Sequence, residues 1–276
     1  MRKILLLSAI IIITSTAMAQ IPEGGFLSVN TWKSIPEPFM FSATTLTPKD
    51  LPWTLSYSGG YGERVAGPFG LDGLEQKVSL KGYLGKGFTC FAFAGLGFPR
   101  GNVVNSAEQV EVIRNFIGGK KAQGFKLGIG LGASRDYDNV GALLSRVVLY
   151  YDLVRWKFVG NVLIQKAFAK YRDNIDVITS LGVNYRVSES LYGGVEAIGE
   201  DIEGLWEADA EGGAKVMVGP SINWIPDNSK FSFSVSGGPV MYASHSKLID
   251  PNAIRTLPFQ NGLTLRAKVV FNLSGV

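Results

Sequence analysis

Apolar and polar residues alternate along the last stretch of the chain, from Gly262 to Leu273. The odd positions from Leu263 onwards are all apolar, whereas the even positions are mostly polar and include Arg266 and Lys268. Successive side chains of a β-strand point to opposite faces, so this alternation predicts a strand with one apolar and one polar face. A single strand leaves open whether the apolar face meets a protein core or lipid.

The same alternation recurs along most of the chain from Trp53 onwards. Short segments rich in Gly, Asp, Asn, Pro or Ser separate the alternating runs, as in a series of β-hairpins. Propensity does not separate helix from strand in Glu108 to Ile117, but strands that cross a membrane alternately up and down require one more strand there. The pattern predicts an all-β fold over residues 51–276, an antiparallel up-and-down transmembrane β-barrel of about twelve strands.

Large aromatic residues collect near one end of the predicted strands, the end that would face the periplasm. A ring of aromatic side chains at the membrane interface is typical of outer-membrane barrels. The members of this predicted girdle are Trp53, Tyr150, Tyr151, Trp156, Tyr185, Trp224, Phe231 and Phe271.

Residues 1–19 have the three parts of a secretory signal peptide. Arg2 and Lys3 form the positive start, Ile4 to Ile13 the apolar centre, and Ala17-Met18-Ala19 a small-residue cleavage site. We expect the mature chain to begin at Gln20. Together with the barrel pattern, the signal predicts a location in the outer membrane of a Gram-negative bacterium.

Residues 20–50 form a separate segment ahead of the barrel. Pro22, Pro36, Pro38 and Pro48 forbid a central strand, and aromatic residues lie among them. Two interpretations remain open. The segment is either a loose periplasmic leader or a plug that folds into the mouth of the barrel.

Composition narrows the class of protein further. The chain is 46% hydrophobic and contains 34 glycines, with no apolar run of helix length after the signal, which fits a membrane barrel. Loss of Arg2 and Lys3 with the signal lowers the formal net charge from +4 by two, which argues against nucleic acid as a partner. The lone Cys90 excludes an internal disulfide.

Charged residues of the alternating segments fall on the predicted inner face. A charge that faces lipid near the bilayer midplane would cost a few kcal/mol, so these side chains are expected to line the lumen. The surplus of bases predicts a mild preference for anions, and Arg186 and Glu196 are expected to pair across the Ser188 to Ser190 turn. The predicted lumen-lining residues are Lys77, Lys81, Lys126, Arg146, Arg186, Glu196, Arg266 and Lys268, with Glu75 on the same face.

The stretch from Tyr192 to Tyr242 contains a glycine-rich hairpin, the strand motif Gly219-Pro220-Ser221 and the turn Pro226-Asp227-Asn228. In these features it resembles a family of bacterial outer-membrane barrels regarded as transporters, of the phenol-degradation MetA-pathway type. The resemblance implies transport of small solutes across the outer membrane. It brings no catalytic residue with it.

Two groups could carry chemistry. His245 stands between serines and close to Asp250 in a long loop, but Lys247 occupies the position where a barrel hydrolase of the Ser-His type would need its serine. The acidic loop 200–211 could share a divalent cation or contact lipopolysaccharide phosphates, although its spacing matches no EF-hand. With one histidine and one cysteine in the sequence, a site built from several such ligands is excluded. We expect no enzyme activity and no cofactor.

Two functions from different classes follow. The first is an outer-membrane channel or transporter for small solutes, with a narrow and weakly anion-selective lumen. The second is a non-conducting barrel that serves as a structural anchor or an interaction partner through its loops. Either one would contact outer-membrane lipid and lipopolysaccharide, and the sequence does not identify the solute.

Overall fold

The computed structural model describes residues 37–48, 53–62, 73–99, 104–119, 123–170, 175–207, 214–244 and 262–273. The chain divides into two compact units, Met1–Lys33 and Ser34–Val276, and all described residues belong to the second. The signal peptide, most of the leader and His245 with Asp250 therefore lie outside the described residues.

Twelve strands make up nearly all of the regular structure in the described part of the chain. One short 3-10 turn, Ile202–Leu205, follows the ninth strand. The strands are β1 Trp53–Gly62, β2 Gly73–Gly85, β3 Phe88–Pro99, β4 Asn105–Ile117, β5 Gly124–Arg135, β6 Gly141–Asp152, β7 Trp156–Ala167, β8 Asp176–Arg186, β9 Leu191–Glu200, β10 Lys215–Trp224, β11 Phe231–Tyr242 and β12 Gly262–Asn272.

Each strand pairs antiparallel with its neighbours in sequence, and β12 returns to pair with β1. The closing seam runs from Thr54 opposite Asn272 to Gly62 opposite Thr264. Closure leaves no sheet edge exposed, which a β-structure needs in order to cross a bilayer. The predicted twelve-stranded up-and-down barrel is thus confirmed. It includes β4, the additional strand that the alternation of strand direction required.

The two ends of the barrel differ. At the end where β1 begins and β12 ends, hereafter the turn end, short turns join β2 to β3, β6 to β7, β8 to β9 and β10 to β11. The other end, hereafter the loop end, carries the longest connections, between β9 and β10 and between β11 and β12. Lys86 and Asn228 take left-handed backbone angles in two of the short turns, with φ of 50° and 53°. These two turns are therefore built by positive-φ residues, as in other β-hairpins.

Apolar side chains face outwards and polar side chains face inwards, the reverse of the distribution in a soluble protein. Leu131 and Leu181 on the outer surface are 68% and 57% exposed, whereas Asn184 and Glu196 on the inner face are 0% and 1% exposed. A continuous apolar outer band around a polar interior is stable in lipid rather than in water, so the fold is a transmembrane β-barrel. Among the described residues, none of the helical structure has the length and apolarity to cross a bilayer.

Aromatic side chains surround the turn end. Trp156 contacts Tyr185 with ring centroids 4.6 Å apart, and Phe231 contacts Phe271 at 5.0 Å. One predicted member of the girdle was wrong. Tyr150 is 5% exposed and points into the barrel, where its hydroxyl donates a hydrogen bond to Asp152, because it has the inward parity of β6.

Candidate functional site

Residues 37–48, hereafter the lumen segment, lie inside the barrel. The segment starts near the turn end, where Thr54 donates to Glu37 and Asn184 donates to the Pro38 carbonyl. Its middle reaches Glu196, about halfway along β9. It then returns towards the turn end, where Asn115 donates to the Leu46 carbonyl. The lumen segment is therefore a loop that enters and leaves the lumen on the side of the turns.

Polar side chains of the wall satisfy the backbone of the lumen segment. Glu196 Oε2 accepts from the amides of Met40 and Phe41 at 2.9 and 3.1 Å. Asn161 accepts from the Ala43 amide at 2.7 Å and donates to the Ala43 carbonyl at 3.1 Å. Buried backbone groups without a partner would cost more than these bonds contribute, so the inward polar residues hold the segment in one position.

Small residues in the wall make space for the lumen segment. A Cβ added to Gly182 would lie 2.5 Å from the ring of Phe39, and one added to Gly128 would lie 2.9 Å from Thr45. Larger side chains at these two positions would collide with the segment.

Four bases from β2 and β12, hereafter the basic wall, lie on both sides of β1; they are Lys77, Lys81, Arg266 and Lys268. Ser58 of β1 pairs with both Lys77 and Lys268, which places these two bases in one row across the closing seam. In the next row the small Gly60 separates Arg266 from Glu75. The closing seam, rather than neighbouring sequence, assembles this wall.

Carboxylates neutralise part of the basic wall. Glu75 accepts from Arg266 Nη2 at 2.9 Å and from Lys77 Nζ at 3.1 Å. Lys268 Nζ donates to Glu37 of the lumen segment at 2.9 Å. A Cβ at position 60 would come within 2.8 Å of Glu75 Oε1, so glycine is what allows the first carboxylate to reach across β1. The second carboxylate is supplied by the lumen segment.

Across the lumen lies an apolar surface that the alternation did not predict. Each of the six consecutive strands β6 to β11 contributes one buried apolar side chain to it. This apolar belt consists of Leu144, Leu163, Ile178, Ile198, Met217 and Val240, with Phe41 packed against it. The available signal was the presence of apolar residues at inward positions that are otherwise polar, for example Leu163 between Asn161 and Gln165.

A cavity of about 180 Å³ lies between these two surfaces and the lumen segment. Its lining includes Lys77, Lys81, Arg146, Arg266 and Lys268 as well as Phe41, Phe91, Phe93, Ile113, Leu163, Ile178 and Ile198. The Arg266 guanidinium lies 5.1 Å from the centre of the Phe41 ring, which joins the charged and apolar parts of the lining.

The remaining predicted lumen residues occupy different parts of the interior. Lys126 lies 5.2 Å from the centre of the Tyr150 ring, and Arg146 Nε donates to Glu111 at 2.8 Å. Arg186 donates to the Ser188 and Glu189 carbonyls at the turn end. All eight predicted residues thus lie in the interior.

The predicted pair between Arg186 and Glu196 was wrong. The register places Arg186 opposite Tyr192 and Glu196 opposite Gly182, four residues apart along β8. Arg186 instead contacts the carbonyls of its own turn, and Glu196 holds the lumen segment. The register is symmetric about Glu189, so Arg186, three residues before it, pairs with Tyr192, three residues after it, whereas Glu196 lies too far along β9.

The first residues beyond β5 fold inward at the loop end. Tyr137 is 5% exposed and packs with Ala107 and Phe93. Burial, and then the charge of Glu75, raises the pKa of the Tyr137 hydroxyl well above its ordinary value, although Arg266 opposes the shift. This hydroxyl therefore stays protonated beside the basic wall.

The acidic loop is only partly within the described residues. Asp201 and Glu203 lie near Asp176, with one carboxylate oxygen of each within 4.8 Å of the others. Oxygen ligands of this kind could hold a divalent cation. Glu203 also accepts from the Val177 amide, and all three residues have further interactions within the protein.

Comparison with solved structures shows the same barrel fold in two porins. It is similar to a KdgM porin in complex with disordered oligogalacturonate, with a TM-score of 0.55 and 8% identity over 80% of this chain and 99% of that one. It is also similar to the NanC porin, with a TM-score of 0.54 and 13% identity over 79% of this chain and 100% of that one. These likenesses define the class, a porin-like outer-membrane β-barrel fold. No protein-family model matches the chain, and no curated protein matches its sequence.

Proposed function

We propose that the protein is an outer-membrane channel for small solutes, narrowed by the lumen segment and weakly selective for anions. The observation that carries the proposal is the cavity between the basic wall and the apolar belt, inside a closed barrel with a lipid-compatible outer surface. A twelve-stranded barrel is wider than the eight-stranded kind that side chains just fill, so its interior leaves room for a path. The solved porins of this fold support the assignment.

Location and orientation are part of the proposal. The apolar band faces outer-membrane lipid, the turn end faces the periplasm, and the loop end contacts lipopolysaccharide. The lumen segment then enters from the periplasm, in keeping with the plug interpretation of residues 20–50. The resemblance to transporters of the MetA-pathway type agrees with this function and remains a prediction.

Selectivity is expected to be weak because carboxylates balance most of the bases. Five bases line the cavity, and the three carboxylates of Glu37, Glu75 and Glu111 form ion pairs with bases of this set. A small positive surplus attracts anions without excluding cations. No step of this function requires a catalytic residue or a cofactor.

One observation favours the second function, a non-conducting barrel. The lumen segment is fixed by buried or partly buried hydrogen bonds to at least five strands, through Lys81, Thr89, Asn161, Asn184 and Glu196. A segment held this firmly could close the path permanently. The two functions therefore differ in what happens when the segment is removed.

Single-channel recording in planar bilayers tests the proposal. We expect low conductance for the mature protein and a several-fold higher conductance after deletion of residues 20–49, which removes the lumen segment. Deletion of residues 20–36 is the matched control, because it retains residues 37–48 and should leave conductance low. Heat-resistant migration on gels would show that each barrel is folded. A folded barrel that stays silent after the longer deletion would contradict the channel.

A further inference from the structure

We infer that the lumen cavity is a binding site for a small organic anion with an apolar body, such as a monocyclic aromatic carboxylate. This inference rests on the proposed function and assigns the chemical class of its solute. It is carried by the lining of the cavity, where bases and apolar side chains meet in one space.

The charged side of the cavity selects for an anion. Lys77, Arg266 and Lys268 line it, whereas the one carboxylate in its lining is Glu37 of the lumen segment. Arg266 pairs with Glu75 through Nη2, while its buried Nε has no hydrogen-bond acceptor in the described part of the chain. Planar two-point contacts to carboxylates are typical of arginine, and Arg266 is the residue of the basic wall that lines the cavity with such a group.

The opposite side selects for an apolar group. Leu163, Ile178 and Ile198 of the apolar belt line the same cavity. A hydrophilic solute such as a sugar would leave its hydroxyls facing these side chains without partners, at a cost in binding free energy. An apolar ring would instead remove the belt from water and contribute to binding.

Two side chains of the lumen segment already make the contacts expected of such a ligand. The Phe41 ring packs on the apolar belt and lies under the Arg266 guanidinium, while Glu37 supplies a carboxylate to Lys268. An aromatic ring and a carboxylate of the chain thus already use both surfaces. The cavity beside them measures about 180 Å³, and a cavity of about 150 Å³ is enough to hold a benzene ring.

Calorimetric titration of the folded, full-length mature protein in a non-ionic detergent tests the inference, with detergent alone as the blank. Three probes separate the two selections: benzoate has a ring and a charge, acetate has the charge, and benzyl alcohol has the ring. We expect benzoate to bind about tenfold more tightly than either of the others. Equal binding of benzoate and acetate, equal binding of benzoate and benzyl alcohol, or no binding of benzoate would each overturn the inference.

Two variants locate the site. Arg266→Gln should weaken benzoate binding about tenfold, because a charge-assisted contact is lost. The matched control is Arg135→Gln, since Arg135 is an exposed base at the loop end that pairs with Glu108, and it should leave benzoate binding unchanged. Equal effects of the two substitutions would place the site elsewhere and overturn the assignment. If Arg266→Gln does not fold, the comparison of the three probes on the unaltered protein still decides.

The binding and conductance measurements can fail independently, so they distinguish this inference from the proposed channel function. A barrel that conducts after deletion of residues 20–49 but binds no benzoate leaves the channel in place and overturns this inference. A barrel that binds benzoate selectively but never conducts contradicts the channel and retains the site as a binding site.

Discussion

Gly182→Ala is expected to loosen the lumen segment without removing any of it. The added Cβ would lie 2.5 and 2.6 Å from two ring atoms of Phe39 and 3.0 Å from Val159. Ordinary contacts begin at 3.4 Å, so the Phe39 ring must move by close to one ångström. The neighbouring backbone is held by Lys268, which donates to the Phe39 carbonyl at 3.0 Å, and by Asn184, which donates to the Pro38 carbonyl.

We expect the Phe39 backbone to follow the ring, and a shift of that size in its carbonyl takes the Lys268 bond beyond hydrogen-bonding distance. Loss of one charge-assisted bond and weakening of a neutral one cost roughly 2 kcal/mol. A change of that size raises the ratio of released to bound segment by a factor of about 30. The variant should therefore show more frequent openings in planar bilayers. A cysteine at Ser42 in a Cys90→Ser background should also react faster with a water-soluble thiol reagent.

The matched control is Gly160→Ala in the adjacent strand. Gly160 has the outward parity of β7, and its added Cβ would meet Leu181 at 3.4 Å, which is an ordinary contact. This variant should behave like the unaltered protein in both measurements. If Gly182→Ala also leaves openings and thiol reactivity unchanged, the Phe39 contact does not fix the segment and the reasoning is refuted.

Three further predictions follow from the same contacts. Glu37→Gln removes the carboxylate that the lumen segment supplies to Lys268. The reversal potential in a salt gradient should then shift in the direction of greater anion selectivity. A shift in the direction of cation selectivity would show that Glu37 does not act on the permeating path. Replacement of Arg266 and Lys268 together by glutamine should shift the reversal potential in the direction of greater cation selectivity. An unchanged potential with conductance retained would mean that both bases are purely structural. Cysteines at Ser188 and Asp227 should be labelled from the periplasm and one at Asp138 from outside whole cells, all in a Cys90→Ser background, and reversed labelling would invert the orientation.

Local alternation determined the fold. In β8, Val177, Leu181 and Val183 form one face of the predicted strand, and Ser180 and Asn184 form the other. The structure places the first set outside the barrel and the second inside. This works because each strand of a membrane barrel meets lipid on one side, so every second position is constrained by solvation alone. The count of twelve followed from the requirement that strands alternate in direction, which is also a local rule.

The candidate site depended on long-range contacts that alternation cannot encode. Arg266 and Glu75 are distant in sequence and meet because the barrel closes between β12 and β1, with Gly60 between them. From proline and aromatic content alone, residues 37–48 could belong either to a periplasmic leader or to a plug. Their position in the lumen depends on amides and carboxylates of distant strands, such as Glu196. Register, closure and the apolar belt arise only when twelve strands are assembled. They depend on which side chains lie at the same level along the barrel axis, and alternation specifies only whether each side chain points inwards or outwards.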